Sequence, residues 1–113
     1  MRQPTFFDRN PNEGAAEAGR VVLYALGDFQ ARGKVLSERE LPLDRLRGAL
    51  RRAAQALDAE ELDDEQAVAA LGSLGAQVRR VPTFVAKHPF RVLVPTPLAE
   101  KARGFFLEMK KTD

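Results

Sequence analysis

The chain is 113 residues long and 44% hydrophobic, enough to close one core and too little for two. It contains no cysteine, which excludes disulfide frameworks, thiolate nucleophiles and cysteine-held zinc or iron–sulfur centres. Eighteen basic residues against sixteen acidic ones leave a net charge of +2, so total charge does not by itself single out nucleic acid as a partner.

Along the chain the charge alternates in blocks. Residues 1–40 hold six of each sign. Residues 41–57 are net +3, from Arg45, Arg47, Arg51 and Arg52 against Asp44. Residues 58–65 carry six carboxylates and no base, and residues 77–91 are net +4 from Arg79, Arg80, Lys87 and Arg91.

Residues 1–14 are rich in proline and asparagine and have no apolar period, so they read as a loose arm before a single domain spanning 15–113. They lack the apolar stretch and cleavage site of a signal peptide, and a cytoplasmic location is expected. Within the arm, Phe6 and Phe7 either tuck onto the domain's own surface or anchor a partner. No membrane association is expected, because the longest uncharged apolar stretch, residues 21–27, falls well short of the about 18 residues a spanning helix needs.

From 15 to 32 the apolar residues Ala18, Val21, Val22, Ala25, Leu26 and Phe29 follow a helical stripe. The β-branched run beginning at Val21 leaves a short strand turning at Gly27-Asp28 as the competing reading. Gly33 stops the helix, and Lys34-Val35-Leu36 reads as short and extended. Ser37 and Glu40 have the spacing of a capping box, which would start a turn before Pro42. Leu43, Leu46, Leu50, Ala53 and Leu57 then share one face of a second helix. The acidic stretch opens a third, with Ala67, Val68, Ala70, Leu71 and Leu74 as apolar positions and Gly75 as its stop.

After Gly75 the pattern becomes extended, over Val78 to Val85 and again over Phe90 to Val94, around a turn at Lys87-His88-Pro89. Pro82 cannot donate to a ladder, so the first strand should break, bulge or lie at an edge there. Pro95 and Pro97 lead into a final helix that buries Leu98, Ala102, Phe105, Phe106 and Met109 and leaves Lys101, Lys110 and Lys111 wet.

Groups able to do chemistry are scarce. His88 is the only histidine, so no second imidazole exists for a metal or a triad. The stretch from Asp58 to Asp64 lacks the alternating ligands and central glycine of a calcium loop. Gly72-Ser73-Leu74-Gly75 sits at a helix end, where a phosphate loop needs a helix start. Ser37, Ser73 and Tyr24 have no base in sequence context. No cofactor, metal or small-molecule substrate is expected.

The order is helix, short strand, two helices, β-hairpin and C-terminal helix, a mainly helical α+β chain. It is similar to that of winged-helix domains. Val21-Val22-Leu23-Tyr24-Ala25-Leu26 and Gly33-Lys34-Val35-Leu36-Ser37-Glu38-Arg39-Glu40-Leu41 resemble the first helix and the approach to the second in such regulators. The run from Leu71 to Arg80 is similar to the exit from the third helix into the wing. The likeness covers about residues 15 to 109 and implies a fold more than a function. In that family the third helix usually enters the major groove, whereas here its amino-terminal half carries the acidic block, which phosphates would repel.

Two binding roles follow. One is an adaptor that pairs with another protein or with itself, in a transcription or DNA-associated assembly, with Phe105 and Phe106 as anchors beside Phe6 and Phe7. The other is a DNA-binding regulator whose wing sets Arg79, Arg80, Lys87, His88 and Arg91 on phosphates, assisted by Arg45, Arg47, Arg51 and Arg52. Those arginines also read as ordinary solubility plus pairing with the acidic block. A small enzyme with a site invisible in sequence is the remaining alternative.

Overall fold

A computed structural model describes residues 11–82 and 90–111, with side chains from residue 16 onward. Phe6, Phe7, Lys87 and His88, and the expected continuation of the first hairpin strand to Val85, lie outside the described residues. The order of elements is α1 (Pro11–Ala31), β1 (Glu40–Pro42), a 3-10 turn (Leu43–Leu46) running into α2 (Arg47–Ala56), α3 (Asp64–Leu74), β2 (Gln77–Arg80), β3 (Phe90–Leu93) and α4 (Thr96–Lys111). The chain is a mainly helical α+β fold.

Helix α1 is the central element, packing against α4, α2 and α3. The run from Val21 to Leu26 lies within α1, so it is helix and not strand, and every residue of it is buried. A helix enclosed by neighbours on several sides carries apolar residues all round, so its sequence loses the one-sided stripe and imitates a strand. The helix starts at Pro11, inside the expected arm. Proline suits a first turn, where its missing N–H has no intrahelical acceptor in any case.

Gly33 ends α1 with a φ of +85°. Its N–H donates to the Gln30 carbonyl at 2.9 Å and the Lys34 N–H reaches the Phe29 carbonyl at 3.4 Å, the paired bonds of a Schellman turn. The expected extended piece at 34–36 is not the strand. Ser37 forms an isolated bridge with Val94, and β1 begins at Glu40.

The Ser37/Glu40 capping box does not form. Ser37 Oγ instead shares a 2.7 Å hydrogen bond with Thr96 Oγ1, and Glu40 lies in β1 opposite Leu93. Between them Glu38 adopts a left-handed φ of 58°. Its N–H donates to the Val94 carbonyl at 2.8 Å, and its carboxylate accepts from the Thr96 backbone N–H at 2.8 Å. A tertiary bond to the start of α4 thus replaces the local cap that the spacing suggests.

The sheet is antiparallel with order β1-β3-β2, and both outer strands carry a proline constraint that suits an edge. Pro42 lies in β1, and β2 stops at Arg80, before Pro82. In β3 Phe90 and Val92 are buried, and Val92 stands opposite Leu41 on one side and Val78 on the other. Helix α2 buries Leu50 and Ala53 after Leu43 and Leu46 of the preceding turn, as its leucine spacing predicts.

The acidic stretch opens its helix later than expected. Residues 59–63 are non-helical, and α3 starts at Asp64 behind a capping box in which Asp63 accepts from the Gln66 N–H at 2.8 Å and Gln66 Oε1 accepts from the Asp63 N–H at 2.9 Å.

Candidate functional site

The basic residues expected to meet phosphate are drawn into ion pairs within the chain. Arg79 and Glu40 sit on the outer face of the sheet, diagonally across β3, and the guanidinium donates to the carboxylate at 3.0 to 3.2 Å. Arg80 stacks 4.8 Å from the Phe90 ring centroid and lies 3.5 Å from Glu65. Arg51 is 3.5 Å from Glu61. Arg47 pairs with Asp64 and also lies 3.8 Å from Asp44.

The alternating charge blocks are therefore mutual partners. Residues 41–57 meet residues 58–65 through Arg47–Asp64 and Arg51–Glu61. Exposed pairs of this kind add little stability, about 0.2–1 kcal/mol each. A phosphate approaching these cations would have to displace a carboxylate already in place, at a cost of the same order. Among the described residues, Arg45 and Arg91 pair with no carboxylate.

Arg52 turns inward. Its Nη2 and Nε donate at 2.6 and 2.9 Å to one oxygen of Asp28, which is only 8% exposed and is also reached by Arg32 Nε at 3.3 Å. This pair ties α1 to α2 and belongs to the frame of the fold.

The two aromatic residues expected as anchors on α4 are mostly internal. Phe106 is buried with its ring 4.9 Å from Tyr24, edge to face, and Phe105 is half-buried against the core. The apolar surface lies beside them. Among the described residues only two large hydrophobic side chains are exposed, Val35 at 59% and Leu107 at 55%. Both line the same open groove, about 470 Å³ in volume.

Three elements wall this groove: the end of α1, the segment 33–37, and α4. Each is held in place. Gln30 Nε2, on α1, donates at 2.9 Å to the Ala99 carbonyl of α4. The Schellman turn at Gly33 swings Lys34 and Val35 to the groove, and the bridge of Ser37 to Val94 holds the far end of that segment. On α4, Phe106 faces α1 while Leu107, one residue on, turns about 100° away around the helix and stays exposed.

Periodicity singles out neither groove residue. The available signal is that Leu107 falls off the buried stripe of α4, and Val35 follows a helix stop without an alternating partner. Lys34 and Arg103 are the charged residues lining the groove, and its lining contains no carboxylate.

Ser37 is the hydroxyl at the groove, and its Oγ is bonded to Thr96. Among the described residues no group of three His, Cys, Asp or Glu side chains is placed to hold a metal ion. No helix among them is long and apolar enough to cross a membrane. No family model matches the chain, and neither a curated protein nor a solved structure matches it.

Proposed function

We propose that the chain is a non-enzymatic binding module of winged-helix-like build, an adaptor that engages another protein through the groove between α1, the 33–37 segment and α4. The observation that carries this reading is the convergence of Val35 and Leu107 on one groove. Single exposed aliphatic residues are ordinary on a protein surface, but two that share a concave site offer apolar area that a partner can cover. The pairing of Arg47, Arg51, Arg79 and Arg80 with carboxylates supports the same reading, since a phosphate would have to displace those carboxylates. An assembly on DNA in which this chain supplies protein contacts is compatible with it.

The test is a photo-crosslinking residue at position 35 of the full chain, incubated with lysate of the source cells, beside the same residue at exposed Gln55 on α2. A discrete protein adduct at 35 that is absent at 55 and lost on Leu107→Asp is the expected result. Equal adducts at both positions, or none at 35, defeat the reading.

Direct DNA contact is the second reading, and it rests on Arg45 and Arg91, which pair with no carboxylate among the described residues. Sizing the protein with duplex DNA at low salt tests it. A complex that weakens steeply with salt and with Arg91→Ala favours that role over the adaptor.

A further inference from the structure

We infer, resting on the adaptor reading, that the groove takes a segment of another protein in which apolar residues are flanked by carboxylates. The groove's charged lining is one-signed: Lys34 from the segment after α1 and Arg103 from α4, with no acidic residue among the lining. Neither cation pairs with a carboxylate among the described residues. That sets them apart from Arg47, Arg51, Arg52, Arg79 and Arg80, each of which has found an acidic partner inside the chain.

The combination selects among occupants. A polyanion such as nucleic acid uses the two cations and leaves Val35 and Leu107 against water. A neutral apolar segment covers Val35 and Leu107 and leaves Lys34 and Arg103 beside a drier surface without a counter-charge, which is unfavourable. A second copy docked by a two-fold axis through the groove sets Lys34 and Arg103 near their own symmetry mates, like charge against like. An acidic and apolar segment satisfies both parts of the lining. The long stems of Lys34 and Arg103 can lie along its apolar residues while their charged ends reach its carboxylates. Gly33 and the Ser37 bridge fix the Lys34–Val35 rim at both ends, so the groove is largely formed before binding.

A displayed library of random 15-residue peptides, selected on the folded full-length chain and counter-selected on its Leu107→Asp variant, tests the occupant. Because Val35 and Leu107 are exposed, changing either leaves the core intact; circular dichroism of the variant verifies that. The expected outcome is a set of groove-dependent peptides with aliphatic or aromatic residues and a clear excess of Asp and Glu. Their affinity should fall about tenfold on the double change Lys34→Glu with Arg103→Glu, which should in turn favour Lys-flanked versions of the same peptides. Groove-dependent peptides without an acidic excess overturn this inference and leave the adaptor reading standing. Failure to select any groove-dependent peptide, with no adduct at position 35, overturns both. Sedimentation of the chain alone closes the remaining route: a dimer that Leu107→Asp dissociates makes a second copy the occupant and overturns the assignment to another protein.

Discussion

Gly27 of α1 and Phe106 of α4 approach so closely that a Cβ added to the glycine would stand 2.3 Å from the phenylalanine Cβ and 2.6 Å from the Ala102 carbonyl oxygen. The contact brings the two longest helices together beneath the groove, with Gln30 bonded to Ala99 nearby. Gly27→Ala tests it, because two effects oppose each other. Removing a helical glycine favours folding by about 1 kcal/mol, whereas overpacking costs about 1–3 kcal/mol. Here the steric term wins, since a carbonyl in a helical backbone cannot rotate aside. Urea denaturation should show a net loss of about 1–2 kcal/mol. The comparison is Gly19→Ala in the same helix, where nothing lies within 4 Å and a gain of up to about 1 kcal/mol is expected. Equal gains in both variants contradict the close approach.

Arg52 and Asp28 supply a second test, of the frame linking α1 and α2. The carboxylate is buried, so deleting the guanidinium leaves a charge held only by Arg32, at 3.3 Å. Fully buried pairs cost about 3–5 kcal/mol when one partner is removed. The Arg52 side chain is 40% exposed, and water will reach part of the site. Arg52→Ala is therefore expected to cost a smaller amount, about 1–3 kcal/mol. A double-mutant cycle with Asp28→Asn should return a coupling of about 1 kcal/mol or more. Additive single effects contradict a direct interaction.

Asp58 closes α2 in the conformation that glycine normally supplies, with φ at 54°. Its N–H donates to Gln55 at 3.2 Å and the Ala59 N–H reaches Ala54 at 2.8 Å, the same turn that Gly33 makes after α1. A left-handed backbone costs an ordinary residue about 1–2 kcal/mol, and less for Asp, whose side chain bonds locally. Asp58→Gly should raise stability by about 0.5–1 kcal/mol without moving α2. A loss in thermal or urea unfolding contradicts the turn.

These positions show where the sequence was readable and where it was not. The leucines from Leu43 to Leu50 and the stripe of α4 announce buried faces because each helix packs on one side only. The run from Val21 to Leu26 is ambiguous for the opposite reason: enclosure by α4, α2 and α3 removes the polar face that marks a helix. Ser37 and Glu40 mislead because spacing records only local competition, and Thr96 and Arg79 claim their side chains from 59 and 39 residues away. The charge blocks are visible as blocks, yet their pairing depends on how α2, α3 and the sheet meet. The groove is the least legible feature, since Val35 and Leu107 come together only through the packing of α4 beside the end of α1.

Occupied arginines make a prediction about nucleic acid that separates sequence composition from structure. Arg79 and Arg80 end β2, and Glu40 and Glu65 hold them. If those carboxylates are what keeps the cations from phosphate, the double change Glu40→Gln with Glu65→Gln should strengthen binding to duplex DNA at low salt. Each further phosphate neutralised steepens the dependence of log affinity on log salt by about 0.9, so two freed arginines add up to about 1.8 to the slope. Net charge also rises by two in this variant, and that alone favours association. Glu100→Gln with Glu108→Gln on α4 makes the same change in charge at side chains with no ion pair among the described residues. Mobility-shift titrations across a range of salt concentrations should show the steeper slope in the first variant only. Matching slopes in the two variants mean that the ion pairs do not mask Arg79 and Arg80, and that whole-molecule charge governs whatever DNA affinity the chain has.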